Sequence, residues 1–183
     1  VNAISKIVAA ILAVMLLYVY PVADSYEKQD KISYLITNKL VVNFVDSVRN
    51  KGHITPTMYN DLEQALQLTG NTFDLQMEHQ HKRYTPVYTD PANPGTFQST
   101  FEVNYDGFYQ EQIMQILFPD NYKAIDDPSR IYKLTVGDYF KVTVQNTNRT
   151  NATLLRDLLN RSNTGDNTTI YIPYGGMVLN EDY

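Results

Sequence analysis

Hydrophobic and polar positions follow three successive patterns along this chain. Residues 7–23 (IVAAILAVMLLYVYPVA) carry no charged side chain. Counted from Ile4, with Lys6 able to extend its ammonium out along a methylene stem, the apolar stretch covers 20 residues. As a helix this is roughly 30 Å, the thickness of a bilayer's hydrocarbon core. A helix apolar on every side has no face for water, so it belongs in lipid or among other apolar helices. From Ser25 to Lys51 the pattern becomes one-sided. Ile32, Leu35, Ile36, Leu40, Phe44, Val45 and Val48 recur at three- and four-residue steps, while Asp30, Lys31, Asn38, Lys39, Asp46 and Arg49 lie largely opposite. This spacing predicts an amphipathic continuation of the same helix, with those apolar residues as the face to bury. Gly52 is a suitable left-handed stop. Pro21 removes one backbone hydrogen bond and is expected to kink the rod rather than end it. Residues 4–51 then make a helix about 72 Å long at 1.5 Å per residue.

A second helix is predicted from Pro56 to Leu68, with Thr55 as its cap and Met58, Leu62 and Leu66 as its apolar side. The period then falls to two. Phe73, Leu75 and Met77 alternate with Asp74, Gln76 and Glu78 as far as about Tyr84, which reads as a half-buried strand. The run 85–96 (TPVYTDPANPGT), with three prolines and a glycine, reads as a loop. A strand over 97–105, a turn at Asp106-Gly107 and a short helix over 109–118 closed by Pro119 follow. Ile131–Val136 and Tyr139–Gln145 flank Gly137-Asp138 and predict a β-hairpin. Asn151 is placed to cap a helix reaching Asn160, with Leu154, Leu155, Leu158 and Leu159 as its apolar side. A last strand is expected at Thr169–Ile172, followed by a tail containing Gly175-Gly176 that closes its own sheet or pairs with a neighbour's edge. The expected class is α+β: a long N-terminal helix (1–51) and a mainly antiparallel sheet domain with short helices (52–183).

Orientation and location follow from the flanks of the apolar segment. Pro21-Val22-Ala23 puts proline where a small residue should precede a signal-peptidase cut, so the segment is expected to be retained. Lys6 precedes the span, and Asp24 and Glu27 follow it. The basic end therefore belongs on the cytoplasmic side and the body outside. Tyr18 and Tyr20 sit where an interfacial aromatic belt would lie, or pack on a neighbour.

Composition narrows the chemistry. The 183 residues contain no cysteine, which excludes disulfide frameworks, thiolate zinc sites, iron–sulfur clusters and cysteine nucleophiles. A net charge of −5 argues against nucleic-acid binding. The sequence has no G-x-S-x-G, H-E-x-x-H, P-loop or dinucleotide fingerprint, so neither an enzyme nor a cofactor is expected. His79-Gln80-His81 has a metal-like spacing. It also continues the inner row set by Phe73, Leu75 and Met77, beside Lys82-Arg83, and is read as the end of that row rather than a metal site. NTGDN (163–167) lacks the spaced acids of a calcium loop. Four sequons, at Asn148, Asn151, Asn160 and Asn167, fall within 22 residues and would mark an exposed face if they carried glycans.

An apolar N-terminal helix, a proline late in it, an amphipathic continuation and then an antiparallel sheet resemble the layout of type IV pilin-like proteins. The most specific part is residues 1–51, including Pro21. The resemblance implies a helix held in the membrane before assembly and packed against its own copies afterwards, with the sheet domain outside. On that reading the partners are further copies of the chain, and Ile4, Ile7, Ile11, Ala13, Val14, Leu17 and Pro21 make the assembly contacts. Ala9, Ala10 and Ala13 are small enough for close helix approach. Pilins usually carry a glutamate at the fifth mature position and often paired cysteines; here Ser5 is followed by Lys6, and cysteine is absent. The alternative expectation is a single-span, outward-facing accessory module of a secretion or conjugation apparatus.

Overall fold

The computed structural model describes residues 3–120, 122–160 and 168–183. It is an α+β protein in which one helix runs through both parts. Helix α1 spans Ala3–Lys51 without interruption, Pro21 included. At 1.5 Å per residue its 49 residues extend about 74 Å. Its last turns enter the body, where Val41, Phe44, Val45 and Val48 are buried.

After Gly52 the chain forms β1 (His53–Ile54) and α2 (Pro56–Gln67), whose N-terminus is capped by Thr55 Oγ1 accepting from the Met58 N–H at 3.2 Å. Strand β2 runs Phe73–Tyr88, β3 Phe97–Tyr109 and α3 Gln110–Leu117. Strand β4 (Tyr132–Lys133), β5 (Tyr139–Asn146), α4 (Asn151–Asn160) and β6 (Tyr171–Met177) complete the order. The main sheet is antiparallel, in the order β3-β2-β5-β6, and β1 pairs separately with β4. One face of the main sheet presents Met77, Phe140, Val142, Val144 and Ile172. These pack with the buried side of α1, with Tyr59, Leu62 and Leu66 of α2, and with Ile113 and Leu117 of α3. The opposite face is polar, with ties such as Lys141 Nζ to Glu78 Oε2 at 3.4 Å, as expected for an antiparallel sheet covered on one side.

Several local expectations are corrected. Residues 85–88 belong to β2, and β3 continues through Asp106-Gly107. β5 leaves β2 at Gln80, so Pro86 pairs with β3 alone and its other side is an open edge, the position in a sheet where proline is tolerated. Gly107 is a strand residue opposite Gln80, with the Tyr109 ring lying over it. The hairpin expected around Gly137-Asp138 does not form. The chain does turn there, with the Asp138 N–H donating to Thr135 O at 3.0 Å and Gly137 at φ +90. Both edges of β5, however, are taken by β2 and β6, so β4 pairs with β1 instead. Helix α4 is capped by Thr150 rather than Asn151, through Oγ1 accepting from the Thr153 N–H at 3.2 Å. It buries Ala152 and Thr153, while Leu154, Leu158 and Leu159 are exposed.

Gly175-Gly176 lie inside β6, opposite Lys141 and Phe140. The segment after β6 folds over the end of α1: the Leu179 N–H donates to Arg49 O and the Asp182 N–H to Lys51 O, both at 2.8 Å. A helix leaves its last carbonyls without partners, and this tail supplies donors to two of them. Gly52, at φ +70, permits that approach, because a Cβ there would stand 2.3 Å from Asn180 O.

Candidate functional site

Two features stand apart from the ordinary packing of the core. The first is the surface of α1. Residues 3–18 are all exposed, and the first fully buried position of the helix is Ser33. It is the one helix among the described residues long and apolar enough to cross a membrane, and none of its most apolar window is buried. Ile4, Ile7, Ile11, Ala13, Val14, Leu17 and Pro21 are exposed without exception. At 100° per residue, Ile4, Ile7, Ile11, Val14 and Pro21 share about a third of the circumference, with Leu17 and Ala13 further round.

The second half of α1 differs from the sequence expectation. The face turned to the body is Ser33, Thr37, Val41, Phe44, Val45 and Val48. Ile32, Leu35 and Ile36, expected to be buried, are 58%, 64% and 45% exposed. Around Ser33 the body meets the helix through polar groups, with Thr150 Oγ1 donating to Asp30 Oδ2 at 2.7 Å. The apolar flank therefore stays outside. Uncovered apolar surface recurs from Ile4 to Ile36, about 50 Å along the axis at 1.5 Å per residue.

The second feature is a cluster at the start of β5, beside β2, built around a buried histidine and a buried carboxylate. His79 on β2 follows Met77 in the inward row, as its position predicted, and is 4% exposed. Its Nδ1 lies 2.7 Å from the Tyr132 hydroxyl and its Nε2 2.9 Å from Asp138 Oδ2. His81 Nδ1 lies 3.0 Å from Asp138 Oδ1. The Lys82 and Thr135 N–H groups donate to Asp138 Oδ1 and Oδ2 at 3.0 and 2.8 Å. An ionised carboxylate only accepts, so both imidazoles donate to it and the Tyr132 O–H donates to His79 Nδ1. Burial pushes the His79 pKa below its ordinary value, against the opposing pull of Asp138. Burial alone would raise the Asp138 carboxyl, but the two backbone N–H groups and the two imidazoles outweigh it and hold it low. Burial, with the Asp138 charge nearby, raises the Tyr132 phenol. The Phe108 ring stacks on His79 with centroids 5.5 Å apart. Sequence reasoning missed Asp138 and Tyr132, because Gly-Asp reads as a solvated turn and Tyr132 as one member of an alternating strand.

Beyond Gln80 the β2–β3 pair projects as a two-stranded arm. One face of it displays Tyr84, Phe101, Val103 and Tyr105, each between 42% and 58% exposed, and the outer edge of β3 has no strand partner among the described residues. Among the sequons, Asn148 is half-buried and its amide is engaged at both ends: Oδ1 accepts from the Thr72 N–H at 2.9 Å, and Nδ2 donates to Asn71 Oδ1 at 3.0 Å. A glycan on that Nδ2 would disturb the link between the segments. Asn151 and Asn160 are exposed at the two ends of α4. Asn167 and the 163–167 segment lie outside the described residues.

Neither the known protein families, nor characterised proteins, nor solved structures offer a match to this chain.

Proposed function

We propose that this protein is a structural subunit of an extracellular, type IV pilus-like filament that polymerises through α1. The observation that carries the reading is the uncovered apolar surface from Ile4 to Ile36, which the chain's own body leaves bare. Such a surface requires lipid or other copies of itself. In the membrane the first half of the helix is solvated by acyl chains. On assembly it exchanges one apolar environment for another, so close packing, rather than the hydrophobic effect, must favour neighbours over lipid. Ala9, Ala10 and Ala13 allow that close approach. The partners are copies of the same chain, with the membrane as a staging site and the 52–183 body outside.

Replacing Leu12 or Ala13 by Asp places an unpaired carboxylate in that contact. Filaments should disappear, while the body keeps its secondary structure by circular dichroism. Filaments that persist with the charge in place would overturn the reading. The second reading, a single-span module that stays in the membrane, draws on the same helix, whose length and apolarity suit a bilayer crossing. It requires monomers in detergent and no ordered polymer in surface material.

A further inference from the structure

We infer that His79, His81 and Asp138 form a binding site for a divalent cation of the zinc class. Their donor atoms, one from each residue, all lie within 4.8 Å of one another. His79 Nε2 and His81 Nδ1 converge on the same carboxylate, at 2.9 and 3.0 Å. Four-coordinate zinc with bonds of roughly 2.0–2.2 Å places its ligand atoms about 3.3–3.5 Å apart. To admit the ion the carboxylate moves away from each imidazole by a few tenths of an ångström, and the widest donor pair, within 4.8 Å, closes by up to about 1 Å.

The surroundings are those of a positioned ligand set. Asp138 is oriented by the Lys82 and Thr135 N–H groups, and His79 is held from behind by the Tyr132 hydroxyl at 2.7 Å. An outer-shell partner of this kind fixes the ring orientation of a ligating histidine. When the ion takes the Nε2 lone pair, the His79 ring proton moves to Nδ1 and the Tyr132 oxygen accepts it. His81 Nδ1 likewise binds, and its proton moves to Nε2, where the ring is partly exposed. The Asp138 carboxylate is already ionised, so no net proton is released. The His81 side chain is 38% exposed, which leaves a solvent-facing position for a fourth ligand.

The neighbouring cations do not oppose the site. Lys82 occupies the opposite face of the sheet by strand alternation, with Nζ 4.9 Å from the Tyr84 ring centroid. Arg83 is on the histidine face but is paired with Asp106 at 3.4 Å. Two imidazoles and one carboxylate suit Zn²⁺, Co²⁺ or Ni²⁺ and disfavour Mg²⁺ and Ca²⁺, which prefer all-oxygen shells.

The test uses the full chain in detergent, stripped with a chelator and titrated with Zn²⁺ alone and, separately, Mg²⁺ alone. Calorimetry should give one Zn²⁺ per chain with a saturable rise in Tm, and no effect of Mg²⁺. His81→Ala, which alters a partly exposed ring, should fold and lose both signals, whereas His53→Ala should retain them. Tyr132→Phe should bind about 10- to 100-fold more weakly. Co²⁺ in place of Zn²⁺ should show the intense visible bands of a four-coordinate site. Absence of stoichiometric Zn²⁺ binding to the unaltered chain, or undiminished binding by His81→Ala, would overturn the assignment.

Discussion

Replacing Asp138 by Ala should be among the most damaging single changes outside the apolar core. The side chain is 2% exposed and accepts from four donors: His79 Nε2–H, His81 Nδ1–H and the N–H groups of Lys82 and Thr135. His81, at 38% exposed, recovers a partner in water. His79 can move its proton to Nδ1 and donate to Tyr132, but its Nε2 is then a buried acceptor with nothing to accept from. Two backbone N–H groups are orphaned beside it. One buried and two partly buried groups lose their partner, the first at about 1–3 kcal/mol and the others at less. Offset by no longer desolvating a carboxylate, the net loss is about 2–4 kcal/mol. For a chain of this size that corresponds to a fall in Tm of about 10 °C. Asp138→Asn keeps one accepting oxygen and should cost less. The assay is urea and thermal unfolding of the chelator-treated protein, followed by circular dichroism. A loss below about 1 kcal/mol for Asp138→Ala would show that the cluster does not hold the sheet in the way described.

Gly52→Ala and Gly176→Ala should differ sharply in a thermal melt. The first forces an L side chain to φ +70 and sets its Cβ 2.3 Å from Asn180 O, so it should cost at least about 1–2 kcal/mol and free the tail to proteolysis. The second meets only the Arg49 guanidinium at 2.6 Å, the far end of a flexible side chain, and should cost much less. Near-equal effects would refute the role given to the tail as a cap on α1. Phe101→Ser with Tyr105→Ser removes exposed aromatic surface from the β2–β3 arm and should change stability by no more than about 0.5 kcal/mol per site. If the arm touches neighbouring subunits, filament yield should drop; unchanged yield would remove it from the assembly contacts.

The parts of the structure governed by local periodicity were legible in the sequence. The length of α1, the alternation of β2 and β5, the Thr55 cap and the Gly52 stop all follow from residue spacing, and the structure has each of them. What depended on choosing a partner was not legible. Ile32, Leu35 and Ile36 form a face that wants cover, but the pattern does not say which surface provides it; the body takes Ser33 and Thr37 instead. Gly137-Asp138 has the composition of a hairpin turn, yet competition for the edges of β5 is settled by long-range pairing with β2 and β6. Leu154, Leu158 and Leu159 on the apolar side of α4 stay exposed for the same reason as Ile32. The inward direction of His79 could be read from its row, whereas Asp138 could be found only by bringing together residues 57 to 59 positions apart.

Electron microscopy and helical reconstruction of material sheared from the surface of cells making the full chain would show most directly what covers residues 4–36 of α1. Thin filaments are expected, with a bundle of parallel helices at the axis carrying Ile4 to Pro21 and the sheet bodies on the outside. Recovery of the chain only as a monomer from detergent-extracted membranes, with no polymer in the sheared fraction, would contradict that arrangement.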